Sequence, residues 1–173
     1  MDLLALLVIL IVHLLQVAGS PIQARQIPGL LFNLRVSNIS AHFTAASLLN
    51  NQLSRVDFNV APVLSLLSIL ETVTIDSVTL TAVSGTTTIF TINKTFDPAL
   101  QVPTNGSVSS GVFTNVPLTQ GSAATLSAVN SGTLTANGQF NTHVTIITSP
   151  LTLPLPLTTI DSLVPTAWSI SFF

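Results

Sequence analysis

Beyond residue 30 apolar and polar residues alternate with a period of two, and the alternation is broken at short intervals by Gly, Asn, Ser and Pro. Successive side chains of a strand point to opposite faces, so this pattern prescribes half-buried strands and argues against a helical bundle. Arg55 to Val60 is the clearest case: Arg55, Asp57 and Asn59 share one face, and Val56, Phe58 and Val60 share the other. Leu31 to Val36 reads as a strand, as does Ile39 to Ala45, where Ile39, Ala41, Phe43 and Ala45 lie together. Further strands are expected at Thr72 to Val83, Thr86 to Asn93, Gly111 to Leu118, Ala123 to Val129, Thr133 to Phe140, Thr142 to Ile147 and Ala167 to Phe172. Turn residues fall between them at Asn50-Asn51, Ser84-Gly85, Asn105-Gly106, Ser131-Gly132 and Asn137-Gly138. Many short strands at close spacing suggest an antiparallel sandwich or barrel. The expectation adopted is all-β: a single antiparallel β-sandwich, immunoglobulin-like or similar, following an N-terminal signal helix.

Three segments modify the pattern. Val73 and Ile75 lie on one parity and Val78, Leu80 and Ala82 on the other, which a bulge near Asp76-Ser77 would reconcile. Val63 to Glu71, after the breaker Pro62, reads as a short helix or a buried strand. Ser149 to Pro156 carries Pro150, Pro154 and Pro156, so it is expected as an extended edge or covering segment with its leucines packed down.

The N-terminus has a different character. Leu3 to Leu15 is an almost unbroken apolar run, interrupted by His13 and followed by Gln16, Gly19, Ser20 and Pro21. It is too short for a membrane-spanning helix and reads as the core of a signal peptide, cleaved after Gly19 or Ala24. The absence of Lys and Arg before it, with Asp2 in their place, leaves a retained anchor as the alternative. The expected organisation is therefore 1–19 signal peptide, 20–30 N-terminal extension and 31–173 β-sandwich domain. Secretion without cysteine is consistent with this size, because such a domain can bury a core without disulfide staples.

Composition narrows the function. Only 6% of residues are charged and the formal net charge is -2, so the four basic residues Arg25, Arg35, Arg55 and Lys94 cannot form a phosphate-binding stripe, and no nucleic-acid partner is expected. Nucleotide-binding glycine loops, a G-x-S-x-G elbow and H-E-x-x-H spacing are all missing. His42 groups with Ser40 and Thr44, and His143 with Asn141 and Thr145, on polar strand faces, which suits solvated histidines rather than catalytic bases. Asp57, Glu71, Asp76, Asp97 and Asp161 show no metal-ligand clustering, and Trp168 with no tyrosine is a poor supply of sugar-stacking rings. The expectation is a protein that is not an enzyme, with no catalytic, metal or cofactor-binding residues, no cofactor, and no stable membrane span after signal cleavage.

Three N-x-S/T sequons, at Asn38, Asn93 and Asn105, fit an extracellular destination as N-glycosylation sites. Thr-rich strands such as Thr79-Leu80-Thr81 are explained by good β-forming hydroxyl residues on solvent faces. Phe32, Phe43, Phe58, Phe90, Phe113 and Phe140 are expected to fill the core. Were they instead to line a cavity, the chain would suit a carrier of a hydrophobic small molecule or lipid.

The segments Phe90-Thr91-Ile92-Asn93-Lys94-Thr95-Phe96 and Gly111-Val112-Phe113-Thr114-Asn115-Val116-Pro117-Leu118-Thr119-Gln120-Gly121 resemble small secreted fungal Thr/Ser-rich β-proteins of unassigned function. The alternation and the proline-leucine stretch are more remotely similar to LEA-14-type immunoglobulin-like sandwiches. The first resemblance implies an extracellular, wall-associated protein of a filamentous fungus, with a cell-wall component or an apolar ligand as partner, and neither implies catalytic residues.

Overall fold

The computed structural model describes residues 32–64, 70–103, 105–129, 132–146, 149–158 and 162–171. The expected signal peptide, the N-terminal extension and the centre of the stretch Val63 to Glu71 lie outside them. Nine strands, β1 (Phe32–Thr44), β2 (Gln52–Leu64), β3 (Leu70–Ser84), β4 (Thr87–Val102), β5 (Val108–Ser109), β6 (Phe113–Pro117), β7 (Thr133–Ile146), β8 (Ser149–Thr158) and β9 (Ser162–Ser171), and two helices, α1 (Ala45–Leu49) and α2 (Gly121–Val129), account for most of the described chain.

The protein is all-β, in one mixed sheet ordered β4-β3-β7-β9-β1-β2-β5, with β6 also pairing β2 and β8 pairing β7. The wholly antiparallel expectation fails at one ladder. β1 and β9 run parallel from Ile39 opposite Thr166 to Thr44 opposite Ser171. The reason lies in the edges: the hairpin partner β2 occupies one side of β1, so its other side receives the last strand, whose direction is set by antiparallel pairing with β7. The two ends of the sheet approach each other through a bridge between Phe90 and Leu118 and a 2.9 Å bond from Thr119 N–H to the Ile89 carbonyl. The sheet is thereby nearly closed into a barrel, which leaves little unpaired edge.

Strand parity places the core. Leu34 and Val36 face inward before a register shift between Val36 and Asn38, and Ile39, Ala41 and Phe43 face inward after it. The two segments read separately from the sequence are therefore one bulged strand. β3 shifts register between Ile75 and Ser77, where the change of apolar phase required a bulge. Phe43, Phe58, Phe90 and Phe140, each at most 1% exposed, join aliphatic side chains from both ends of the strand order in a single buried cluster.

Other readings need correction. Asn137-Gly138 is not a turn: Asn137 pairs with Thr81 and Gly138 with Leu80, so the ladder passes straight through and the expected strands on either side are one, β7. The strand expected at Thr86 to Asn93 continues as β4 to Val102. Leu64 and Leu70 are strand residues, so the described ends of the stretch Val63 to Glu71 are not helical. Ala123 to Val129 is the helix α2, fixed to α1 by Ser122, whose N–H donates to Asn51 Oδ1 at 2.9 Å and whose hydroxyl donates to the Leu48 carbonyl at 2.6 Å. β8 pairs with β7 alone, as suits a segment whose prolines cannot serve a central ladder.

Candidate functional site

Nine outward residues at the centre of β4, β3 and β7 form an uncharged array. Register places Thr91, Thr81 and Asn137 in one row, Asn93, Thr79 and Gln139 in the next, and Thr95, Ser77 and Asn141 in a third. Strands in a sheet lie about 4.8 Å apart and same-face residues along a strand about 6.7 Å apart, so these nine side chains form a near-regular lattice of hydroxyl and amide groups. Some are already linked. Thr81 Oγ1 and Thr91 Oγ1 are 3.3 Å apart, and Asn141 Nδ2 donates to Ser77 Oγ at 2.7 Å. Thr79, Thr91, Asn93, Thr95, Gln139 and Asn141 are exposed. Below the third row Asp76 and His143 close the array with a 2.5 Å contact between Nδ1 and Oδ2.

The outward face of β9, β1 and β2 is different. His42 stands opposite Ser169 on one side and Arg55 on the other, while Ser40 stands opposite Asp57. Ser40, Ala41, His42, Arg55, Asp57 and Ser169 line an open recess of about 430 Å³. His42 Nδ1 and Ser169 Oγ are 2.7 Å apart. Arg55 and Asp57 pair loosely at 3.8 Å, with the guanidinium side chain more than half exposed. A serine nucleophile needs its base oriented by a carboxylate on the other ring nitrogen. Here Asp57 makes its ion pair with Arg55 and stands two residue pairs away from His42 along the ladder.

The residues singled out in the sequence are thus dispersed. His42 and His143 both occupy outward positions, the first in the recess and the second at the end of the array. Among the described residues no three of His, Asp or Glu gather as metal ligands. The sequons take three environments: Asn93 is exposed within the array, Asn105 is exposed in a bend, and Asn38 is half-buried beside the β1 bulge with its Oδ1 enclosed and unpartnered. Four of the six phenylalanines are interior, and Phe113 is half-buried and stacks on Phe58 at 5.7 Å. Phe32 has no described side chain. The recess is lined mostly by polar residues and opens on the outer face, unlike the apolar interior cavity that a lipid carrier requires. No described helix is long and apolar enough to cross a membrane.

Sequence reasoning missed Ser169 and the row structure of the array. Ser169 meets His42 only through a parallel pairing across 127 residues, and the array depends on which strands are neighbours. The alternation of Ala167, Ser169 and Ser171 was the available signal for the first, and the Thr-x-Thr pairs for the second. Compared with protein-family models, with curated proteins and with solved structures, the chain matches none.

Proposed function

We propose that this is a secreted, N-glycosylated, non-catalytic β-domain, wall-associated in a filamentous fungus, that acts through its surface as an extracellular structural or interaction protein. Its sugars sit at Asn38, Asn93 and Asn105, and its partner is a neutral cell-wall polysaccharide. The reading extends to the architecture: the β4-β3-β7 wall packs against the β1-β2 wall in the manner of a sandwich whose edges are joined.

The observation that carries the proposal is the uncharged array on β4, β3 and β7. A neutral polysaccharide offers many hydroxyl groups and no charge, so its complement is a flat face of groups that both donate and accept hydrogen bonds. Thr, Ser, Asn and Gln do so without the desolvation cost of an ionised side chain. Asn93 stands in the outermost column, on β4, so a glycan there leaves the sheet at its rim and the β3 and β7 columns stay open.

Co-sedimentation of the purified secreted protein with insoluble chitin and β-1,3-glucan tests the reading. The parent is expected to pellet with at least one of them, and Thr79→Lys, which puts a charge in the central row, is expected to stay in the supernatant with an unchanged thermal midpoint. A parent that pellets with neither polymer, or a Thr79→Lys variant that pellets as the parent does, removes the array from consideration.

A further inference from the structure

The recess on β9, β1 and β2 gathers two of the chain's few formal charges and one of its three histidines around an opening of about 430 Å³. That volume falls in the range of small-molecule sites. Its hydrogen-bonding inventory is mixed: Arg55 contributes donors only, Asp57 acceptors only, and Ser40 and Ser169 hydroxyls that serve as either. The Arg55–Asp57 separation of 3.8 Å is too long for a fork-to-fork hydrogen bond, so both groups keep unused capacity toward a ligand. His42 is held against Ser169 at 2.7 Å, which fixes the imidazole as one wall.

Charge decides what such a site selects. An anion drawn to Arg55 meets Asp57, and a cation drawn to Asp57 meets Arg55, whereas a neutral polyol satisfies both. Adjacent ring hydroxyls of a sugar can accept from a guanidinium and donate to a carboxylate at the same time. We infer that the recess lined by Ser40, His42, Arg55, Asp57 and Ser169 is a binding site for a single pyranose unit, with Asp57 accepting from and Arg55 donating to neighbouring hydroxyls of one ring. It lies on a different face from the uncharged array, and it rests on the proposed extracellular role only in drawing its ligand from extracellular glycans.

The test is amide chemical-shift mapping of the ¹⁵N-labelled secreted protein titrated with the methyl glycosides of glucose, mannose, galactose and N-acetylglucosamine, with sulfate and citrate as separate titrations. At least one glycoside is expected to shift the amides of Ser40, His42, Arg55, Asp57 and Ser169 saturably in the millimolar range. Asp57→Asn and Arg55→Gln should each weaken that binding about tenfold with no change in thermal midpoint. Ser40→Leu, which fills the recess from a small side chain, should abolish it. Thr79→Lys should leave it unchanged, so loss of polymer binding and loss of sugar binding are read separately. The inference is overturned if no glycoside shifts these amides, if the shifts persist in both Asp57→Asn and Arg55→Gln, or if sulfate or citrate shifts them in place of the glycosides.

Discussion

Phe58→Ala is the perturbation whose consequence follows most directly from the packing. Phe58 is 1% exposed, faces the interior opposite Ile39, and stacks on Phe113 with ring centroids 5.7 Å apart and planes within 2°. Its backbone also anchors the neighbouring segment, since Phe58 N–H donates to Ser110 Oγ at 3.1 Å and Ser110 N–H donates to the Phe58 carbonyl at 2.8 Å. Truncating a fully buried phenylalanine costs about 3–5 kcal/mol, including about 0.5–1.5 kcal/mol from the stacked pair. For a domain of this size that loss lowers the thermal midpoint by about 6–20 °C. Urea unfolding followed by circular dichroism gives the free energy, and thermal scans give the midpoint. Asp57→Asn, one residue away on the outer face, should stay within about 0.5 kcal/mol, and a Phe58→Ala, Phe113→Ala cycle should show coupling of about 1 kcal/mol. A Phe58→Ala loss below about 1 kcal/mol, or an Asp57→Asn loss of similar size to that of Phe58→Ala, would refute the assignment of inner and outer faces.

Gly121 has φ +77°, and a Cβ there would lie 3.0 Å from the Asn51 Oδ1 that accepts from Ser122; Gly121→Ala should cost about 1–3 kcal/mol in urea unfolding, more than Gly85→Ala, whose φ of +59° opens onto free space. The His143–Asp76 contact is partly exposed on the outer face, so His143→Ala should change stability by less than about 1 kcal/mol in the same assay. Mass spectrometry of the secreted protein should find its N-terminus at Ser20 or Arg25 and glycans at Asn38, Asn93 and Asn105, with Asn38→Gln lowering secreted yield; an intact Met1 to Leu15 segment in extracted membranes would refute the processing.

The legible part of the fold was the part set by local alternation. Which residues of β1, β2 and β3 face inward follows from parity alone, and the bulge at Asp76 follows from the break in that parity. Neighbour identity does not follow from it. The parallel β1–β9 ladder joins the first described strand to the last, and no local pattern encodes that meeting. Over α2 the alternation of Ala123, Thr125 and Ser127 with their neighbours predicts a strand. Its helical state depends on a turn at Gly121 and on Asn51, 71 residues from Ser122 in the chain. Asn137-Gly138 carries hairpin chemistry, but an unbroken β3 opposite both residues keeps them in the ladder. The recess was half legible: Arg55 and Asp57 were placed on one face, yet their assembly with His42 and Ser169 required the strand order.

High β-propensity explains why threonine is abundant on these strands, but it does not explain where the charges go. Propensity acts on each strand alike, so it would scatter the few ionised side chains over the whole exterior. Charges occur on both walls, Arg35, Arg55 and Asp57 on β1 and β2 and Glu71, Asp76, Lys94 and Asp97 on β3 and β4, yet the nine central outward positions of the β4-β3-β7 wall carry only hydroxyl and amide groups. Solubility does not require that uncharged centre either, because it responds to net charge and apolar patch size rather than to where on a wall the charges sit. The proposed contact with a neutral polymer accounts for it. A face that meets a long neutral polymer gains from being flat and uncharged, since an ionised group beneath the polymer would lose its hydration without a counter-charge. A recess that holds one small polyol gains from a donor and an acceptor fixed side by side. On these two proposals, the centre of the β4-β3-β7 wall and the recess of the β9-β1-β2 wall serve different ligands.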